Sequence, residues 1–132
     1  MELDVHRWAV VGDLMISVTL PGSSIDALWQ SFANDLLALD VTRYLGVAFK
    51  GAEVTSVRRR ILADALLHKN IRLSAVTEDK VTNGFATAMS WLGVDVGAFT
   101  LSELDRAIAH LDVPDDRIQR VKAELERLSR AY

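Results

Sequence analysis

The sequence contains no cysteine. The chain therefore has no disulfide, no thiolate metal ligand, no iron–sulfur cluster and no cysteine nucleophile. Proline and glycine are also scarce, with two and seven residues, which excludes collagen-like and proline-rich segments. Half of the 132 residues are hydrophobic and a quarter are charged, which is an ordinary globular composition. This length and composition predict a single domain with its own hydrophobic core.

Long apolar runs and a basic N-terminus are missing as well. No stretch reaches the roughly 18 consecutive apolar residues that a membrane-spanning helix needs. The sequence begins Met1-Glu2-Leu3-Asp4, without the basic residues and apolar run of a signal peptide. We therefore expect a cytoplasmic protein with no membrane span.

Neither sign of charge dominates the chain, whose formal net charge is −3. Without a basic excess, we expect no nucleic-acid partner. The one segment with a positive balance is 54–92, which has six basic and three acidic side chains. Its centre is Arg58-Arg59-Arg60. These arginines are the candidate surface for an anion or a partner, and the alternative is an ordinary solvated helix face.

Short apolar runs alternate with amphipathic stretches along the chain. The first two runs flank Gly12-Asp13 and predict a β-hairpin. The predicted strands are 7–11, 14–20, 44–49, 71–76 and 94–99. The first two predicted helices are 24–39, which follows a Ser23–Asp26 capping box, and 54–69. The third begins at Thr77 or Asp79 and ends at about 92. The fourth runs from a Ser102–Asp105 capping box to about 111, and the last follows Pro114.

Strands that alternate with helices in this way imply parallel β-α-β units. We therefore predict one α/β domain over 1–113. Its mainly parallel sheet has four or five strands, the hairpin provides an antiparallel edge, and helices pack on it. Residues 114–132 form an additional C-terminal amphipathic helix of the same unit.

This last helix carries a narrow apolar stripe at spacings of three and four, formed by Ile118, Val121, Leu125 and Leu128. The stripe fits either packing on the domain or a helix–helix seam with another copy or a partner. We expect a homodimer or a partner-bound protein. If the seam joins two copies, replacing Leu125 and Leu128 with Lys should give a folded monomer.

Motifs of catalysis and cofactor binding are absent. No phosphate-binding loop and no Gly-x-Gly-x-x-Gly turn follows a predicted strand. The three histidines, His6, His68 and His110, have no metal-ligand spacing, and His6 precedes the first predicted strand. The acidic pairs Glu78-Asp79 and Asp115-Asp116 are predicted in first helical turns, where carboxylates stabilise the helix N-terminus. We predict no metal, no cofactor and no enzyme activity.

Thr55 and Ser56 are the candidate phosphoacceptors. They lie at the predicted start of the second helix, at the carboxyl end of the sheet, where open α/β folds bind ligands. Their hydroxyls can cap the helix. A phosphate added there would meet the helix N-terminus and the nearby Arg58 and Arg59.

Four segments of the sequence carry a family resemblance: WAVVGDLMISV from Trp8 to Val18, GVAFKG from Gly46 to Gly51, IRLSAVT from Ile71 to Thr77, and VGAFTLSELDRA from Val96 to Ala107. In their order and landmarks they resemble the STAS domains of anti-sigma-factor antagonists. They resemble more nearly the SpoIIAA-like group, which is related to SEC14-type lipid-binding folds. The resemblance covers roughly residues 5–112.

The resemblance implies a small regulatory module of bacterial signalling that binds another protein without catalysis. STAS antagonists are phosphorylated in an Asp-Ser-Ser/Thr-Gly-like signature at the start of their second helix. Thr55 and Ser56 occupy that place here, without the signature's Asp and Gly. The relation to SEC14-type folds implies an alternative function, a carrier of a lipid or small molecule. Its ligand would use the apolar space around Phe85, Met89 and Trp91.

Overall fold

The computed structural model describes residues 5–22, 25–52, 54–78 and 84–130. Its elements in chain order are β1 (His6–Val11), β2 (Leu14–Thr19), α1 (Asp26–Ala38), β3 (Arg43–Ala48), α2 (Ser56–Lys69), β4 (Arg72–Thr77), α3 (Gly84–Trp91), β5 (Val96–Thr100), a 3-10 turn (Leu101–Glu103), α4 (Leu104–His110) and α5 (Asp115–Ser129). In these ranges 51% of residues are helical and 26% are in strands. The predicted α/β class is confirmed.

The five strands form one sheet in the order β1-β2-β3-β4-β5. The hairpin pair β1–β2 is antiparallel, and the other pairs are parallel. Because each parallel strand lies beside the next one in sequence, right-handed crossovers place α1, α2 and α3 on the same face. We call this the three-helix face. The opposite, two-helix face is covered by α4 and α5.

Each face of the sheet has its own hydrophobic core. The strand positions alternate between the two faces, because successive side chains of a strand point to opposite sides of the sheet. The core of the three-helix face includes Met15, Phe32, Leu62, Leu73 and Met89. The core of the two-helix face includes Ile16, Leu45, Val76, Ile108 and Val121.

Several predicted helix boundaries are wrong. The capping box of the fourth helix is formed by Thr100 and Glu103 and not by Ser102 and Asp105, because β5 continues to Thr100. The backbone N–H of Thr100 donates to the Glu103 carboxylate at 3.0 Å. Pro114 is the N-cap of α5 and lies just before its first turn.

Other corrections concern the second and third helices. Val57, an apolar residue in the first turn of α2, is 55% exposed. Glu78 is not in a first helical turn: its carboxylate accepts from the Lys50 backbone N–H at 3.2 Å. Thr77 lies in β4 and is no helix cap. Within the described residues α3 begins at Gly84, and the predictions for Ser23 and Asp79 fall outside those residues.

Basic side chains satisfy the carboxyl ends of three helices. Arg7 donates to the carbonyl of Leu128 in α5 at 3.0 Å, and Arg43 donates to that of Leu111 after α4 at 2.9 Å. Lys69 donates in the same way to the carbonyl of Leu36, in the last turn of α1, at 3.1 Å. These carbonyls have no partner within their own helices, and a cation is favoured there.

Across the described parts of the chain, every helix is too short or too polar to cross a membrane.

Candidate functional site

The start of α2 lies at the carboxyl end of the sheet, as the sequence predicts. Thr55 is the N-cap residue, and its Oγ1 accepts from the Arg58 backbone N–H at 3.3 Å. Ser56 opens the helix. Both residues are exposed, so their hydroxyls are accessible to a modifying enzyme.

The structure separates the three consecutive arginines. Arg58 is buried, with 7% of its surface exposed. Arg59 is half-buried and donates to the carbonyl of Val54 at 3.5 Å, whereas Arg60 is exposed. The predicted surface therefore does not present three guanidinium groups together, because the helical repeat sends successive side chains in different directions.

Arg58 joins the start of α2 to the start of α1. Its Nε donates to Asp26 Oδ1 at 3.0 Å, and its guanidinium lies 5.9 Å from the centroid of the Trp29 ring. Two large apolar side chains flank this ion pair along the chain. Ile25 precedes Asp26 and is 69% exposed, and Val57 precedes Arg58 and is 55% exposed.

We call the exposed surface at these two helix starts the α1–α2 patch. It consists of Ile25, Asp26, Thr55, Ser56, Val57 and Arg60. Exposed apolar side chains near charged and hydroxyl-bearing ones are a usual composition of protein-binding surfaces.

A small cavity lies on the three-helix face, between the sheet and the helices that cover it. Its cause is the size of the side chains in neighbouring strands. Tyr44 and Leu73 are paired in register near the amino end of the sheet, whereas Gly46 and Ala75 are paired one row further on. The side chains at the carboxyl end of these strands are therefore too small to fill the space beneath the helices. The free volume is about 30 Å³, enough for one or two water molecules.

The cavity is lined by β2, β3 and β4 below and by α1, α2 and α3 above. Its lining includes Ser17, Thr19, Trp29, Tyr44, Gly46, Ala48, Val54, Leu62, Ala75, Thr77 and Phe85.

A buried hydroxyl pair occupies one wall of the cavity. Ser17 Oγ and the Tyr44 hydroxyl are 2.5 Å apart. Burial raises the pKa of Tyr44, so the phenol stays protonated. A Cβ at Gly46 would lie 3.0 Å from the Tyr44 hydroxyl. The glycine therefore makes room for the phenol beside the sheet.

His6 is a buried residue that the sequence analysis placed before the first strand. It is the first residue of β1, directly opposite Thr19. Its Nδ1 is 2.9 Å from Thr19 Oγ1, and its ring stacks on Trp29 with centroids 3.9 Å apart. Nε2 is buried and has no hydrogen-bond partner within the described ranges. Desolvation, followed by the positive charge of Arg58, lowers the pKa of His6 to about 3.

The signal for His6 was present in the sequence as strand alternation. His6, Trp8 and Val10 have the same parity, and Trp8 packs against the core of the three-helix face. Extending the first predicted strand by one residue would have placed His6 on that inward face.

The three residues proposed to surround an apolar space near α3 have different environments. Phe85 lines the cavity, and Met89 is fully buried in the core. Trp91 is 85% exposed, so its predicted part in such a space is wrong.

The apolar stripe of α5 packs on the chain's own sheet. Val121, Leu125 and Leu128 are at most 7% exposed and belong to the core of the two-helix face, against which Ile118 also packs. Of the two arrangements that the stripe allowed, the structure has the intramolecular one. These side chains are not available for a seam with a second copy.

The remaining histidines are at helix ends: His68 is in the last turn of α2 and His110 in that of α4. No group of three or more potential metal ligands occurs among the residues that the structure describes.

Comparison with family models, with curated proteins and with solved structures finds no match to this chain.

Proposed function

We propose that the chain is a non-catalytic regulatory protein that binds another protein through the α1–α2 patch. The observation that carries this proposal is the exposure of Ile25 and Val57, 69% and 55%, beside the ion pair that joins the two helix starts. Apolar surface in water is unfavourable, and a bound partner would remove it from water. The proposal agrees with the regulatory function that the STAS-like resemblance implies.

The patch is held in place before any partner binds. The buried Arg58 guanidinium contacts Asp26 and lies over Trp29, so the two helix starts are linked by a side chain with little freedom. A surface ordered in advance loses less entropy on binding. This supports recognition of a folded partner by the patch.

Phosphorylation of Thr55 or Ser56 would regulate the patch. A phosphate there would be favoured by the N-terminus of α2 and would add negative charge next to Val57. Intact-mass measurement of the protein from its native cells tests this step. We expect an added phosphate that Thr55→Val or Ser56→Ala removes.

Site-specific crosslinking tests the binding surface. A photo-crosslinking amino acid at Val57 should capture one partner in native cells. The same group at Leu39, which is 42% exposed after the other end of α1, should not. We expect the Ile25→Asp/Val57→Asp double variant to lose this partner and Leu39→Asp to keep it, with unchanged circular dichroism. Equal capture from both positions, or retention by the double variant, would contradict the proposal.

The cavity supports a second candidate function, the small-molecule or lipid carrier. Its place at the carboxyl end of parallel strands is where open α/β folds bind ligands. Its free volume of about 30 Å³ is too small for a lipid, so a lipid could enter only if Phe85 or its neighbours moved. Solvent extraction of the purified protein and mass spectrometry separate the two functions. A stoichiometric lipid would favour the carrier.

A further inference from the structure

The β5 edge of the sheet lacks the usual protection of an edge strand. From Gly84 to Leu101 the only charged residue is Asp95, although a quarter of the whole chain is charged. The Asp95 carboxylate accepts from Arg72 at 3.1 Å. Proteins commonly protect an exposed edge with charged side chains, prolines or bulges, and the strand Val96–Thr100 has none of the three.

Large apolar side chains accompany this uncharged edge. Trp91, at the end of α3, is 85% exposed, and Leu101, just after β5, is 37% exposed. Helix α3 packs against β5, so Trp91 and Leu101 belong to elements next to this edge. Few charges and an exposed aromatic residue together mark the core of protein interfaces.

The backbone of β5 presents hydrogen-bonding groups away from the sheet. The Leu73 N–H donates to the Asp95 carbonyl at 2.9 Å. In a parallel ladder every second residue bonds to the neighbouring strand. The bond from Leu73 to Asp95 therefore means that Gly97 and Phe99 bond to β4, and that Val96 and Ala98 direct their N–H and C=O groups away from the sheet. Neither outward residue has another backbone partner in the described ranges.

We infer that β5 pairs antiparallel with β5 of a second copy of this chain, about a two-fold axis at Ala98. The Ala98 N–H of each copy donates to the Ala98 carbonyl of the other. Val96 of each copy lies opposite Thr100 of the other, whose N–H stays on Glu103 and whose carbonyl begins the 3-10 turn, so the Ala98 pair carries the backbone bonds. The two sheets become one continuous sheet.

Charge favours a second copy as the occupant. In this register Asp95 lies opposite Leu101 of the other copy. The two Asp95 residues are six positions apart along the strand direction, about 20 Å, which exceeds the screening length at physiological salt. Within the paired strands the two-fold arrangement therefore brings together no like charges, and each strand supplies the same donors and acceptors to the other. The dimer would leave both α1–α2 patches outside the paired strands.

Sedimentation equilibrium with edge variants tests this inference. The wild type should have twice the mass of one chain at micromolar concentration. Ala98→Lys places a charge at the axis, and Ala98→Pro removes an outward N–H without breaking the ladder to β4. Both should sediment as monomers with unchanged circular dichroism. The matched control, Val10→Lys on the β1 edge, should remain a dimer.

A crosslink gives an independent measurement that does not depend on the stability of the variants. The chain has no cysteine, so Ala98→Cys introduces a single thiol. Opposed residues in a hydrogen-bonded antiparallel pair have Cα atoms about 5.5 Å apart, within the range of a disulfide. Oxidation should give a covalent dimer much faster than it does for the Val10→Cys control. A monomeric wild type at millimolar concentration, or equal crosslinking of the two variants, would overturn the inference.

Discussion

The two faces of the sheet are built from the same strands but are packed differently. On the two-helix face most inward strand positions are aliphatic, as at Ile16, Leu45 and Val76, and α4 and α5 cover them. On the three-helix face the neighbouring positions include Ser17 and Gly46, and the layer contains a cavity and buried polar side chains. Both faces bury large apolar side chains and stabilise the fold, and the three-helix face also carries the features that could bind a partner or a ligand.

The difference follows from where the large side chains lie along each strand. Burial of apolar area contributes roughly 25 cal/mol per Å², so both cores stabilise the fold. Buried polar side chains, such as His6 on the three-helix face, oppose this with a desolvation cost. Each prediction below changes one of these faces, in order of decreasing expected effect.

The largest effect is expected on the two-helix face. Leu125→Lys combined with Leu128→Lys puts two charges into an apolar core, and each lost leucine alone typically costs about 3 to 5 kcal/mol. We expect this double variant to be unfolded in urea titrations monitored by circular dichroism. Leu67→Lys, at a position that is 45% exposed, is the control and should unfold near the wild-type midpoint.

A folded Leu125→Lys/Leu128→Lys protein would mean that α5 does not contribute to the core as the structure shows. It would instead support the helix–helix seam that the apolar stripe equally allowed.

The stripe of α5 shows how far the sequence determines the fold. Hydrophobic periodicity predicts the helix and its apolar face, because spacing alone decides which residues share a side. It does not identify the surface that covers the face. A stripe of this width fits a second helix or a sheet, and here the uncovered face of the chain's own sheet takes it.

The order of the strands and helices could be predicted from the sequence, whereas the environment of the buried His6 could not. The alternation of strands and helices is a local signal, so the α/β class and the parallel sheet could be predicted. The burial of His6 depends on Trp29 and Arg58, which come from α1 and α2 and meet it only in the folded chain. The Thr100 cap could be predicted from the sequence, because Thr100 and Glu103 also have capping-box spacing.

The next effect concerns acid stability and His6. Because the folded-state pKa is about 3 and the ordinary value is 6.5, the unfolded chain binds the proton more tightly between these values. The contribution of neutral His6 is therefore complete above pH 6.5 and is lost as pH falls toward 3, by up to about 1.4 kcal/mol per pH unit. His6→Asn keeps a polar atom near Thr19 but cannot titrate.

We expect His6→Asn to be less stable than the wild type at pH 7 and to lose less stability between pH 6 and pH 4. Urea unfolding at each pH measures both quantities. Parallel pH profiles for the two proteins would show that another group controls acid stability.

A smaller effect is expected from the hydroxyl pair on the three-helix face. Tyr44→Phe leaves the buried Ser17 hydroxyl without its 2.5 Å partner, which should lower the free energy of unfolding by about 1 to 2 kcal/mol. Adding Ser17→Ala removes the unsatisfied group, so the double variant should recover part of the loss. Additive effects in this double-mutant cycle would show that the two hydroxyls are not coupled.

The smallest effect is expected from adding volume to the cavity. Ala75→Val places two carbon atoms beside the free space, so the cost of overpacking is offset by better filling, and the unfolding free energy should change by less than about 1 kcal/mol. The same substitution at Ala107, which is fully buried in the filled core of the two-helix face, should cost about 1 to 3 kcal/mol. Urea midpoints of the two variants measure the contrast directly. Equal losses would mean that the two faces are packed alike, and that small side chains at the carboxyl end of the three-helix face leave no usable space.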